Sequence, residues 1–137
     1  MGVVLDSTVV VDAERAGRNH RQMIESIIAI LGDTEATLSA VTVVELAHGI
    51  ERADSARCRQ GRERFLEELL NEIPIEPVSL GIAFRAGRIA GSLQAWGVTV
   101  ALGDLLIGAT ALELGFEIAT RNVWHFRLIP GLKVTEL

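Results

Sequence analysis

The sequence has one cysteine, no tyrosine and three prolines among its 137 residues. A lone thiol cannot form a disulfide framework or a thiolate zinc cluster, and it is typical of a reducing compartment, so the sequence predicts a cytoplasmic protein. Aromatic side chains make up only 4% of the chain, and no row of them is present to stack on nucleic-acid bases. Trp96 and Trp124 are therefore predicted to lie in the core or in an interface.

Positive charge is also scarce. The formal net charge is −5, and Lys133 is the only lysine. A negative chain cannot grip nucleic acid over a broad surface, although a local basic patch is compatible with it. Haloacid-dehalogenase-type phosphatases and receiver domains both require a well-placed lysine, and Lys133 lies in an unsuitable C-terminal tail. The phosphatases also require an aspartate where Thr8 stands. Phosphate-binding loops of the GxxxxGKS/T or GxGxxG type and a nucleophile elbow are absent too.

Acidic residues interrupt the long hydrophobic runs. Asp6 and Asp12 break the first run, so no secretory signal is expected, and Asp6 occupies the position at which a myristoylation motif requires Ser or Thr. The apolar stretch 97–119 contains three acids and is predicted to be a buried helix and strand rather than a membrane span. With 49% hydrophobic and 23% charged residues, residues 1–137 are expected to form one domain.

Apolar periodicity, with Gly, Pro and Ser as boundaries, predicts strands that alternate with helices. The predicted strands are Gly2–Leu5, Ala36–Ala40, a short strand between Pro74 and Pro77, Phe116–Thr120 and an edge strand Lys133–Thr135. The predicted helices are Ser7–Arg15, His20–Leu31, Thr42–Arg52, Ala56–Glu72, a helix capped by Ser79 that ends at Gly97, and one from about Gly103 to Leu114. This alternation indicates an α/β fold, in which ligands bind beyond the carboxyl ends of the strands.

Three carboxylates adjoin apolar core segments. Asp6 follows Val3–Leu5, Glu45 follows two valines, and Asp104 precedes another apolar run. Buried charges are costly unless they are paired or bound to a cation, so the three acids predict a metal site. The alternative is that each acid caps a helix, with Thr42 and Glu45 forming a capping box. Both interpretations are open at this point.

Glycine follows two of these acids by four residues. Gly49 follows Glu45, and Gly108 follows Asp104. Residues four apart share a helix face, so both glycines are predicted to leave room beside the site.

Four sequence blocks together resemble a VapC-type PIN-domain ribonuclease. The blocks are VVLDSTVV at 3–10, VVELAHG at 43–49, GDLLIGATAL at 103–112, and ATRNVWHF with IPGLKV across 119–134. The resemblance covers almost the whole chain and implies a PIN-like three-layer sandwich, with a mostly parallel sheet of four to five strands and helices on both faces. It also implies the toxin of a toxin–antitoxin pair, which cuts RNA with a divalent metal and leaves a 5′-phosphate and a 3′-hydroxyl.

The resemblance implies a role for each polar residue of these blocks. Asp6, Glu45 and Asp104 would bind the metal, Mg²⁺ or Mn²⁺. Thr8 and Thr120 would support the site through their hydroxyls.

The family's fourth acid is missing from this chain. Its place corresponds to Asn122, which offers a carbonyl oxygen, or to His125, which offers an imidazole. Loss of this charge is expected to weaken a second metal and to favour Mn²⁺. His125 is equally interpretable as a hydrogen-bonded turn residue. The fourth position therefore leaves a second function open, a weakened or inactive PIN-fold module that binds RNA or a partner.

Partner contacts are expected at basic and apolar residues near the site. Four arginines are predicted to hold RNA phosphate: Arg15, Arg18, Arg21 and Arg121. The resemblance implies an antitoxin that wraps the neighbouring helices and inserts a basic side chain among the acids, and a homodimer. Apolar residues on two helices could serve docking, although a core role is favoured: Ile24, Ile27, Leu31, Phe65 and Leu69.

Overall fold

The computed structural model describes residues 1–137 and consists of five strands, six α-helices and one short 3₁₀ helix. The strands are β1 (Gly2–Leu5), β2 (Glu35–Ser39), β3 (Ile75–Glu76), β4 (Glu117–Thr120) and β5 (Val134–Glu136). The helices are α1 (Ser7–Arg15), α2 (His20–Leu31), α3 (Ala40–Glu51), α4 (Ala56–Glu72), α5 (Leu80–Ala95) and α6 (Leu102–Leu114), with the 3₁₀ helix at Val123–His125. Strands and helices alternate as the sequence predicted.

All five strands are parallel and lie in the order β3-β2-β1-β4-β5. β1 is central, with Val3 paired to Ala36 on one side and to Glu117 on the other. The chain winds outward from β1 first toward β3 and later, through β4, toward β5. Crossovers therefore diverge between β1 and β4, which opens a crevice at their carboxyl ends.

Helices cover both faces of the sheet, and β1 is therefore buried on both sides. Its Val3 and Leu5 pack in one cluster with α1, α2 and α4, and Val4 packs in the other with α6. Side chains alternate across a strand, so this sharing follows from the pleat. α5 packs on α6 through a third cluster. The structure confirms the predicted α/β sandwich with a parallel sheet and helices on both faces.

Helix α3 begins earlier than the sequence predicted. Ser39 is its N-cap, and the Ser39 hydroxyl accepts a hydrogen bond from the Val41 N–H at 3.1 Å. The predicted capping box of Thr42 and Glu45 is wrong, since both residues lie inside the helix. The predicted end of β2 at Ala40 shifts to Ser39 for the same reason.

Several side-chain placements differ from the sequence prediction. Trp96 and Trp124 are 86% and 75% exposed, so a core position is wrong for both. Gly108 does not widen the site, because a Cβ there would lie 2.6 Å from Ile129 Cδ1; the glycine is needed for close packing. Gly49 has open space around it, as predicted.

The apolar residues of α2 and α4 serve the core. Ile27 and Leu69 are buried in the cluster on the β1 face, and Ile24, Leu31 and Phe65 pack against it. The stretch 97–119 contains α6 and β4, as predicted. None of the six helices combines the length and apolar character needed to cross a bilayer.

Candidate active site

Asp6 lies at the carboxyl end of β1 and is only 3% exposed. Its N–H continues the sheet by donating to the Ala119 carbonyl at 3.0 Å. Its Oδ2 accepts hydrogen bonds from Thr8 Oγ1 at 2.8 Å and from Thr120 Oγ1 at 2.9 Å. The side chain makes no capping bond to α1. The cap interpretation is therefore wrong for Asp6, which is a buried carboxylate held by two hydroxyls.

The two threonines join the start of α1 to the end of β4. Their hydroxyl oxygens lie 3.3 Å apart. Each also accepts from a backbone N–H, Thr8 from Arg121 at 3.1 Å and Thr120 from Asn122 at 2.9 Å. A hydroxyl that accepts from an N–H while it donates to a carboxylate has a fixed orientation. The network thus fixes the Asp6 carboxylate and the path of the chain beyond β4.

Glu45, on α3, faces the same edge of the sheet. Partial burial raises its pKa, and so do the negative charges of Asp6 and then Asp104. A hydrogen bond with the Ser7 hydroxyl and the charge of His125 lower the pKa by less. The Glu45 side chain still reaches solvent. Its electrostatic coupling to two acids from other elements indicates that the fold brings all three to one mouth.

Asp104 lies in the first turn of α6, whose N-cap residue is Ala101. Burial is the largest cause that raises its pKa, the charge of Asp6 raises it further, and His125 opposes both through its charge and a hydrogen bond. His125 Nδ1 lies 3.1 Å from Asp104 Oδ2. The other ring nitrogen, Nε2, lies 2.9 Å from Asn122 Nδ2. Asp104, His125 and Asn122 therefore form a chain of contacts at the edge of the site.

The donor set suits a divalent ion chemically, although its geometry does not close on one. Carboxylate oxygens are the ligands that Mg²⁺ and Mn²⁺ take in proteins. No group of three or more His, Cys, Asp or Glu side chains is arranged closely enough to hold a metal. Carboxylates without a cation repel one another, and this repulsion adds to burial, the larger cause, in raising the pKa values of Glu45 and Asp104. The assignment of Asp6, Glu45 and Asp104 as metal ligands stays a prediction.

The predicted RNA-binding arginines separate into two groups. Arg18 and Arg121 both pair with Asp12, whose Oδ2 lies 3.1 Å from one guanidinium and 3.4 Å from the other. Arg15 lines a groove between helices, and Arg21 is exposed on α2. The sequence analysis missed Asp12 as a site residue. Its spacing of four from Thr8, which places both on one face of α1, was the available signal.

A cavity of about 120 Å³ lies between α1, α3 and α4, beside Glu45. Apolar side chains line most of it, with charged residues at the rim. The lining residues are Val10, Val11, Glu14, Arg15, Glu45, Leu46, Gly49, Ile50, Arg62, Phe65 and Leu66. A mostly apolar groove between the helices thus reaches Glu45, one of the three acids.

Comparisons with known proteins agree with this architecture. Residues 3–128 match the PIN domain family. The chain is 31% identical to Ribonuclease VapC10 of Mycobacterium tuberculosis over 107 residues, which cover 78% of this chain and 74% of the relative. It is 27% identical to Ribonuclease VapC1 of Rickettsia felis over 134 residues, 98% and 95% of the two chains.

Solved structures with the same fold include a complex of Rickettsia felis, VapBC2 bound to a DNA fragment from its promoter. The TM-score is 0.85 at 20% identity, with 100% of this chain and 99% of the other covered. DNA-bound VapBC from Salmonella typhimurium has a TM-score of 0.83 at 20% identity, with 99% and 98% covered. These likenesses concern the fold.

The hydroxyl network around Asp6 predicts a stability difference between two threonines. Replacing Thr120→Val removes a donor to a buried charge and should lower the free energy of unfolding by about 1–3 kcal/mol. Thr110→Val is the matched control, because the buried Thr110 hydroxyl donates to the neutral Leu106 carbonyl of its own helix at 2.7 Å. Denaturant unfolding at pH 7 measures both changes. Equal losses for the two variants would contradict a special role for the bond to Asp6.

The raised pKa of Glu45 predicts that its charge opposes folding. A folded state that binds a proton more tightly than the unfolded chain loses stability as the pH rises through the raised pKa. Glu45→Gln should therefore raise the melting temperature of the metal-free protein at pH 7. This gain in melting temperature should vanish below the ordinary carboxyl pKa, where Glu45 is protonated in both the folded and the unfolded state. Glu25→Gln, on the exposed face of α2, is the control, and an equal gain there would contradict the local cause.

Proposed function

Because the chain belongs to the PIN domain family and, within it, to the VapC ribonucleases, we propose that it is a metal-dependent endoribonuclease that acts as the toxin of a toxin–antitoxin pair. The observation that supports this most is the electrostatic coupling of Asp6, Glu45 and Asp104 at the crevice between β1 and β4. Acids from three separate elements meet there. Folding alone gains nothing from this, because their charges repel.

The chemistry follows from charge. Cleavage of a phosphodiester requires an activated water and compensation of negative charge at phosphorus, and a bound divalent cation supplies both. Asp6, fixed by Thr8 and Thr120, would be the rigid ligand, and Glu45 from α3 and Asp104 from the first turn of α6 would complete the set. Glu45 or Asp104 also orients the attacking water. Without a cation the same acids repel the RNA backbone.

The identity of the metal depends on the fourth position. Mg²⁺ prefers oxygen ligands, whereas Mn²⁺ also accepts imidazole. With His125 beside Asp104 and no fourth carboxylate, the site has less negative charge to hold a second ion. We therefore assign one ion, Mg²⁺ or Mn²⁺, with preference for Mn²⁺. Asn122 contributes by orienting His125 rather than as a ligand.

The partner would be a cognate antitoxin. The relatives of known structure include VapBC complexes, and the apolar groove beside Glu45 has space for side chains of a docked segment. A basic side chain placed among the acids would replace the cation electrostatically and inhibit the enzyme. A homodimer would use α5, whose Leu80 and Phe84 are 75% and 61% exposed. A cytoplasmic location, predicted from the lone cysteine, completes the proposal.

A second candidate function is an RNA-binding or interaction module that has lost catalysis. The observation that favours it is His125, which contacts Asp104 where an acid is expected. In that case the fold and partner surfaces remain, and hydrolysis is absent or slow.

The acids predict a loss of activity without a loss of fold. Asp6→Asn and Asp104→Asn should each lower the rate of Mg²⁺- or Mn²⁺-dependent RNA cleavage by more than about 100-fold, since loss of outer-shell partners alone costs 10- to 100-fold. Gel analysis of several RNAs, with EDTA as a blank, measures the rate. Asp33→Asn is the control, because Asp33 precedes β2 at the opposite edge of the sheet. Equal cleavage by wild type and both variants would reject the nuclease.

Position 125 separates the two candidate functions. His125→Asp should increase cleavage and tighten Mg²⁺ binding, because a carboxylate adds a hard oxygen ligand and a negative charge. Calorimetric titration with Mg²⁺ and Mn²⁺, next to the cleavage assay, reports both effects. His48→Asp, a histidine exposed on α3, controls for the charge change. Stronger metal binding with no cleavage by either protein would favour the interaction module.

A further inference from the structure

Asp12 gathers two arginines that come from distant parts of the chain. Its Oδ2 lies 3.1 Å from Arg18 Nη2 and 3.4 Å from Arg121 Nη1. Arg18 Nη1 is also 3.3 Å from the Ser26 hydroxyl. Arg18 follows α1, Arg121 follows β4, and Asp12 lies within α1. One carboxylate oxygen therefore holds two guanidinium groups side by side.

This cluster is continuous with the acid site. The Arg121 N–H donates to Thr8 Oγ1 at 3.1 Å, and the same hydroxyl donates to Asp6 Oδ2 at 2.8 Å. Asp12 lies one helical turn beyond Thr8 on α1, so its side chain shares the face that Thr8 presents. The two arginines are thus anchored at the sheet edge where RNA would be cut.

The balance of charge leaves the cluster positive. Two guanidinium groups and one carboxylate carry a net charge of +1, within a chain of net charge −5. All three side chains reach solvent, with exposed fractions of 38% for Arg18, 49% for Arg121 and 39% for Asp12. Each guanidinium has five N–H donors. The contacts to Asp12 and Ser26 use only a minority of them.

We propose that Asp12 is a positioning residue that holds Arg18 and Arg121 as a two-pronged clamp for an RNA phosphate neighbouring the one that is cleaved. This inference rests on the proposed function for the identity of its ligand. Guanidinium forks match the geometry of phosphate oxygens. A long side chain that is already held loses less conformational entropy when it binds. Arg15 and Arg21 have no comparable anchor in the structure, so they contribute less.

If Asp12 positions the two arginines, removing its carboxylate should change RNA affinity in the direction opposite to that expected from net charge alone. Asp12→Ala makes the chain less negative, and an unorganised basic patch would then bind RNA more tightly. Loss of positioning should instead weaken binding about three- to tenfold. Asp12→Glu, which keeps a carboxylate, should recover most of the affinity. Fluorescence anisotropy with a short labelled single-stranded RNA measures this in an Asp104→Asn background, in which the RNA stays intact.

Salt dependence tests the two arginines directly. Arg18→Ala and Arg121→Ala should each weaken binding and reduce the slope of log K against log salt by about 0.7, the value for one phosphate contact with a single strand. Arg57→Ala, at an exposed position on α4, makes the same charge change and should leave the slope unchanged. Circular dichroism melts verify the fold of every variant. If Asp12→Ala melts early, Asp12→Asn, which keeps the side-chain shape, replaces it.

The outcomes separate this inference from the proposed function. Tighter RNA binding by the Asp12 variant, or an unchanged slope for both arginine variants, would overturn the clamp even if the wild type cuts RNA. If the wild type cuts no RNA with any metal while the Asp12 series behaves as expected, the clamp stands and the nuclease assignment fails.

Discussion

The bonds from two threonine hydroxyls to the buried Asp6 carboxylate are the interaction on which the rest of the site depends. A carboxylate that is 3% exposed is tolerated only if its charge is hydrogen-bonded. Thr8 and Thr120 meet this need, and because they come from α1 and from β4 they also tie together the two strands that flank the crevice. The backbone N–H groups of Arg121 and Asn122 extend the network to the segment that carries His125. The same hydrogen-bond network therefore fixes the position of Asp6, the path of the chain after β4 and the start of the segment that carries the imidazole.

The site is negatively charged at the three acids and carries a positive cluster beside them. Burial and the charge of Asp6 raise the pKa of both Glu45 and Asp104, and the charge of Asp104 raises that of Glu45 further. Ionisation of these acids is therefore costly unless a cation or a basic side chain lies beside them. Asp12 lies on α1 one helical turn beyond Thr8, and it pairs with two arginines, Arg18 and Arg121, so this neighbouring cluster is positively charged. A polyanion that approaches this edge therefore meets the positive group at the flank and the acids at the centre.

Much of the fold could be predicted from the sequence, because its boundaries are local. Ser79, Gly115 and the bracketing prolines of β3 act within a few residues, and these boundaries agree with the structure. The sequence prediction placed the start of α3 too late, because Ser39 and Thr42 can both cap a helix. Only the burial of β2 decides between them. The pairing of Asp12 with Arg121 spans most of the chain and leaves no local pattern. The exposed tryptophans also escaped prediction, since composition says nothing about which face a large side chain occupies.

The imidazole of His125 sets a compromise between folding and ion binding. A fourth carboxylate at this place would add to the repulsion that Asp104 already experiences from Asp6. His125 instead contacts Asp104 at 3.1 Å and opposes the rise in its pKa, so it stabilises the metal-free protein at the point where its charges conflict. The same contact occupies an oxygen that an ion would need, and Asn122 holds the ring on its other side. If Asp104 binds a metal as proposed, His125 would have to turn away from that oxygen. In the proposed metal site, stability without the ion and affinity for the ion would therefore be opposed through one residue.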